Sequence, residues 1–224
     1  VGSSRAGRSR PNPDRPGAQQ WVPSDGGVPA LRRAATECRG CELWEPAEQL
    51  VFSEGDPGAA VVLVGEQPGD VEDREGRPFV GPAGQLLRRA LGDAGLTEEE
   101  VYLTNAVKHF RFQPRGKRRI HQKPDLSHLV ACRPWLEAEL AEVDPAVTVA
   151  LGATAARQVL GRQTKIGENR GRLLDPPEGH GSGRALVTAH PSAVLRARER
   201  RHAAYEELVA DLRVVADHLA ATGG

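Results

Sequence analysis

The stretch that decides the fold is "AVVLVGEQPGD", residues 60–70. Its first half is a near-continuous run of β-branched and apolar residues, the pattern of a strand buried on both faces. Its second half turns abruptly polar. Three further runs share the apolar pattern: "VYLTNAV" at 101–107, "AVTVALG" at 146–152 and "RALVTAHP" at 184–191. Helical periodicity fills residues 82–95, 126–140 and 154–161, and a last amphipathic helix spans about 202–220. This alternation predicts an α/β protein with helices on both faces of a parallel sheet.

Composition bounds the rest. A chain of 224 residues, 39% hydrophobic, suffices for one domain with one sizeable core. Residues 1–28 are rich in Arg, Pro, Gly and Ser, which predicts a disordered tail ahead of a domain at 29–224. No apolar run approaches the ~18 residues of a membrane-spanning helix, and no signal-peptide pattern is visible, so a cytoplasmic protein with no membrane partner is expected. A monomer is the expected state.

The formal net charge is zero, but its distribution is uneven. Residues 108–123 hold seven Lys or Arg and no acid, whereas 42–56 hold five acids and no base. Such a run is either a solvated face or a loop that steers a polyanion, and phosphates are the commonest target. Cys38, Cys41 and Cys132 are the only cysteines, an odd count that argues against a disulfide framework. The C-x2-C pair in "ECRGCEL" suits shared ligation of a metal or cluster, with a redox pair as the alternative.

In a parallel sheet, ligands bind beyond the carboxyl ends of the strands. Glu66 ends the first strand, where it suits a general base or an electrostatic stabiliser, although "PGD" is also ordinary turn chemistry. Asn105 ends the second, and its amide can pair with the edge of a pyrimidine or cap a turn. His190 ends the last, with Ser192 at a helix start and Arg196 beyond it, a place suited to phosphate. Phe79 is either core or a stacking platform for a base. Together they describe a pocket for a small polar heterocycle.

These segments, "GEQPGD", "PFVGPAG", "TNAVK" and "HPSAVLR", resemble in order and spacing the iron–sulfur uracil-DNA glycosylases of the family-4 type. The resemblance covers about residues 34–217. Gln67 and the inserted loop "RGKRRIHQK" point to the branch whose members become covalently attached to uracil-containing DNA. The family implies a three-layer α/β/α fold around a central four-stranded parallel sheet. It also implies a [4Fe–4S] cluster, here held by Cys38, Cys41, His109 and Cys132, with His109 standing where the family has a cysteine. A cluster with an open iron, or zinc on the same donors, is the alternative.

The resemblance further implies that Asn105 reads uracil, Phe79 stacks on it, and His190 donates to its O2. Glu66 would favour an oxocarbenium-like sugar, and Gln67, Gly69, Asp70 and Ser192 would be substrate contacts. His121 would trap the sugar carbon, while Lys117, Arg118, Arg119 and Arg196 would hold DNA. The expected partner is uracil-containing DNA, preferably single-stranded because flipping costs least there. A conventional turnover glycosylase and a non-catalytic iron–sulfur DNA-binding module are the competing readings.

Overall fold

The structure is a computed structural model, and it describes residues 15–161, 164–176 and 183–223. In chain order its elements are α1 (Gly27–Ala35), β1 (Ser53–Gly55), β2 (Val61–Gly65), α2 (Asp70–Glu75), α3 (Pro82–Ala94) and β3 (Val101–Asn105). There follow β4 (Phe112–Arg115), β5 (Arg118–His121), α4 (Leu126–Val143), β6 (Val147–Leu151), α5 (Gly152–Val159) and α6 (Ile166–Asn169). The chain closes with β7 (Leu173–Leu174), β8 (Arg184–Thr188), α7 (Pro191–Arg196) and α8 (Arg201–Thr222).

The four apolar runs form the expected parallel centre, in the order β3-β2-β6-β8. The full sheet has six strands, because β1 and β7 add antiparallel edges. Those edges are only three and two residues long and carry no apolar run, so periodicity does not mark them.

Side chains alternate across the sheet as a strand requires. Val61, Leu63, Leu103 and Val149 face α3 and α8, whereas Val62, Val64, Tyr102 and Ala150 face α1, α4 and α5. Two apolar layers therefore sandwich the strands, an α/β/α arrangement. The helix ends follow local rules. In α3, Pro82 stands in the first turn and Gly95 closes the helix in the left-handed region at φ 87°. At α4, Asp125 accepts from the backbone N–H groups of Ser127 and His128.

Of the expected tail, residues 1–14 fall outside the described residues, and from Arg15 the chain is packed against the domain. Arg15 bonds Glu42, Asp125 and Ser127, and Gly17 N–H donates to the Gly40 carbonyl. Ala18 N–H donates to the Ala131 carbonyl, and Ala18 is buried. Composition missed this because the segment is held by backbone bonds and one arginine rather than by apolar side chains.

Residues 108–123 contain a two-stranded hairpin, β4 against β5, with Phe112 opposite His121 and Pro114 opposite Arg119. Directly opposed residues share a face, so Phe112, Pro114, Arg119 and His121 stand on one side of this ribbon. Arg115, Arg118 and Ile120 stand on the other, and all three are exposed.

Candidate functional site

The carboxyl ends of the parallel strands open into one cavity of about 720 Å3. Glu66, Gln67, Gly69, Phe79 and Asn105 line it, as do His121, His190, Ser192 and Arg196. All three catalytic candidates thus meet in one place, together with five of the six substrate candidates.

Asn105 is 2% exposed, and its side-chain amide has no hydrogen-bond partner among the described residues. A buried amide without a partner costs free energy unless a ligand supplies one. Gly65 makes room for it: a Cβ there would stand 2.2 Å from Asn105 Oδ1 and 2.8 Å from Phe79 Cζ. Phe79 is buried and sits at φ 55°, a strained conformation for an aromatic residue. Its neighbour in space is Gly84, where a Cβ would fall 1.8 Å from the Phe79 carbonyl oxygen. The backbone is thus bent, and glycines placed, to bring one ring and one amide to a single wall.

Opposite lies Glu66, whose Oε2 accepts from the Thr154 hydroxyl. Its Oε1 is 3.8 Å from His121 Nε2. His121 in turn is 2.9 Å from Nε2 of Gln67. The Gln67 amide orientation is set by its backbone partners: Oε1 accepts from Arg111 N–H at 3.1 Å, and Nε2 donates to the carbonyls of Arg111 and Gln122 at 3.2 and 3.1 Å. An amide nitrogen donates and never accepts, so its two N–H groups are shared among the two carbonyls and His121 Nε2, which presents its lone pair and leaves the ring proton on Nδ1. Burial lowers the pKa of His121, Glu66 opposes that shift and Arg196 adds to it. The cations of the hairpin are not among its causes.

His190 Nδ1 accepts from the Ser192 backbone N–H at 3.1 Å and lies 2.8 Å from its hydroxyl. Its proton is then on Nε2. Burial, helped by Arg196 and His121, lowers its pKa to about 4, so the ring is neutral at pH 7. The Ser192 N–H, expected to meet phosphate, is instead occupied by this histidine. Gly69 N–H is likewise taken, by Glu72 Oε2 at 3.1 Å.

Two expectations are redirected by the structure. Asp70 does not line the cavity; its carboxylate pairs with Arg119 and Arg74. Arg119, expected to face DNA, is largely buried, paired with Asp70, Asp73 and Glu48, and packed on Phe110 and Phe112 at 5.5 and 5.1 Å. It fastens the hairpin to α2. Lys117 and Arg118 stay exposed, without an ion pair among the described residues. Thr154 and Glu72 were missed from sequence. Glu72 had a signal, since its place three residues after Gly69 is that of a capping box; Thr154 lies in an ordinary helical pattern and had none.

Cys38, Cys41, His109 and Cys132 line a separate, small cavity of about 10 Å3. No group of three described His, Cys, Asp or Glu side chains is arranged around one point to hold a single metal ion. Burial raises the thiol of Cys41 to about 11 and that of Cys132 to about 12, so these cysteines are neutral unless a metal takes their protons. Donors nonetheless point at all three sulfurs. The Trp135 indole N–H reaches Cys38 Sγ at 3.3 Å, and backbone N–H groups of Leu43 and Lys108 serve Cys41 and Cys132. Hydrogen bonds to sulfur suit ligating thiolates. Burial also lowers His109 to about 4, leaving a neutral imidazole whose nitrogens have no partner among the described residues. This donor set fits a metal cofactor.

Comparison with known proteins agrees with the geometry. The family described as "Uracil DNA glycosylase superfamily" matches residues 52–213. A type-4 uracil-DNA glycosylase of Thermotoga maritima is 37% identical over 163 residues, covering 72% of this chain and 80% of that protein. The type-4 enzyme of Pyrobaculum aerophilum is 34% identical, covering 74% of this chain and 83% of its own. That of Archaeoglobus fulgidus is 31% identical over 83% of this chain and 89% of its own.

Proposed function

This chain belongs to the uracil-DNA glycosylase superfamily, and from that premise we propose that it excises uracil from DNA and then bonds to the sugar through His121. The observation that carries this reading is His121 itself: a neutral imidazole in the same cavity as Asn105 and Phe79, with Nε2 unprotonated and 3.8 Å from Glu66.

Asn105 would supply donor and acceptor to the edge of a flipped uracil while Phe79 stacks on its ring. The bond between N1 and C1′ breaks, and its electron pair leaves with the base. His190 Nε2–H would donate to O2 of the leaving uracilate, and the Glu66 carboxylate would favour positive charge on the sugar. A tethered nitrogen has a high effective concentration at C1′. The His121 Nε2 lone pair, giving up its hydrogen bond from Gln67, forms the new bond to C1′, its Nδ1 proton leaves to solvent, and the uracilate gains a proton. The product is an N-glycosyl imidazole. Its imidazolide is a poor leaving group, so each molecule would act once.

Cys38, Cys41, His109 and Cys132 would hold a [4Fe–4S] cluster. What supports it is that three thiols and a neutral imidazole, the donor types of such a centre, line one buried cavity. Bound there, it would tie the segment after β3 to α4 and contribute to folding.

The second reading is conventional turnover, which the names of the three similar enzymes given above, each a type-4 uracil-DNA glycosylase, fit equally. One gel separates the two. The protein is mixed with a uracil-containing oligonucleotide, boiled and run under denaturing conditions beside His121→Ala. A slow band that needs uracil and disappears in the variant is expected. Abasic product without such a band would establish turnover instead, and neither product would leave a DNA-binding module.

A further inference from the structure

A second groove, of about 400 Å3, adjoins the turn end of the hairpin. Glu48 stands in its lining and pairs with Arg119 at 3.1 Å. Ser53, also in the lining, starts β1 and pairs with Thr104, the residue before Asn105. Groove and uracil cavity therefore open on the same rim of the sheet. Between β1 and β2 lie two strand spacings, about 10 Å in all.

The groove's chemistry is distinctive. Arg32 and Arg39 line it, and their guanidinium groups bond only to Ser53 and to the carbonyls of Thr36 and Cys38. Neither has a carboxylate partner among the described residues, whereas Arg15, Arg88, Arg119 and Arg170 are each paired twice or more. Trp44 stands among them, 37% exposed, with the Arg39 guanidinium 4.2 Å over its ring. Cations without a carboxylate beside a part-exposed indole, one face of which Arg39 already covers, are what single-stranded nucleic acid uses, since cations track phosphates and any base can stack on the open face. Charge selects DNA over a protein segment as the occupant, because an apolar partner would leave both guanidinium groups desolvated and unpaired.

We propose that this groove is a second nucleic-acid subsite, taking single-stranded DNA that flanks the flipped uracil, with a base on Trp44 and phosphates against Arg32 and Arg39. The proposal rests on the uracil-DNA reading above. It gives the strand a track from the cavity, past the exposed Lys117 and Arg118, to the cluster side of the molecule.

Two measurements on the full protein test it. The first compares uracil removal from oligonucleotides of about three and about fifteen nucleotides, of which only the longer reaches the groove. The advantage of the longer over the shorter should fall about tenfold in Trp44→Ala, several-fold in Arg32→Gln, and should persist in Trp44→Phe, which keeps a stacking ring. An unchanged advantage in Trp44→Ala and Arg32→Gln would overturn the subsite, whether the groove were idle or reserved for a protein. The second follows tryptophan fluorescence with a uracil-free oligonucleotide, expected to quench wild type and not Trp44→Ala. Quenching without uracil removal would overturn the glycosylase reading and keep the subsite. Uracil removal with no Trp44-dependent quenching would overturn the subsite alone.

Discussion

Gln67 and His121 are 54 positions apart in sequence, yet the amide nitrogen of one lies 2.9 Å from the ring nitrogen of the other. Gln67 is buried in the cavity wall, and the same side chain bonds the backbone of Arg111 and Gln122 on both flanks of the hairpin. One residue thus sets the position of the hairpin and the protonation of its histidine.

Gln67→Ala should therefore separate two steps. The amide does not hold Asn105 or His190, so uracil release should stay within a few-fold of wild type. Capture by His121 should fall ten- to a hundredfold, the scale of a misplacement of about 1 Å. Single-turnover gels that quantify free uracil and adduct in the same samples measure both.

Adduct formation should weaken in acid. The neutral His121 ring attacks, and its pKa lies below the ordinary 6.5 because the ring is partly buried. The rate should be level from pH 8 to about 6.5 and fall on the acid side of that value, with His190 titrating only near pH 4. Both histidines take up protons more readily unfolded than folded, so unfolding free energy should also decline as pH drops below 6.5. A pH–rate profile with uracil in single-stranded DNA, beside denaturant melts at each pH, reads both effects. A rate that rises toward acid would exclude a neutral nucleophile.

Gly65→Ala should abolish uracil excision while the fold survives. The added methyl would occupy space held by Asn105 Oδ1 and Phe79 Cζ. Displacing the amide removes base recognition, for which the expected loss is a hundredfold or more. Circular dichroism should match wild type, and uracil release by mass spectrometry should not.

Loss of the proposed cluster should destabilise the molecule. Cys132 lies within α4 and Cys38 and Cys41 follow α1, so shared ligation joins two helices. Cys132→Ser, or prolonged exposure to a strong chelator, should bleach the broad visible absorbance of an iron–sulfur centre and lower the thermal midpoint by several degrees. Iron and sulfide analysis of the purified protein checks the starting state, and zinc in their place would redirect the assignment.

Much of this was legible in sequence because buried parallel strands write themselves as apolar runs, and their ends are where polar side chains must gather. Glu66, Asn105 and His190 were found that way. What stayed hidden depends on contacts between distant segments. Nothing local in "RRIH" tells that Arg119 turns inward to α2 while Arg118 stays in solvent; the pairing of β4 with β5 decides it. Nor does "RPGAQQW" announce a segment bonded to Gly40 and Ala131, because backbone groups carry those contacts.

The buried bond between Arg119 and Asp73 has an evolutionary corollary. Asp73 is fully buried; one of its oxygens has no partner among the described residues, and the other accepts from Arg119 and from the Glu48 N–H. Removing the Arg119 guanidinium would leave that buried carboxylate without its counter-ion, at a cost of roughly 3 kcal/mol or more. Removing the acid would leave Arg119 to Asp70 and Glu48 at the surface. Arg119 and Asp73 are thus a heritable pair, and descendants should keep both or lose both.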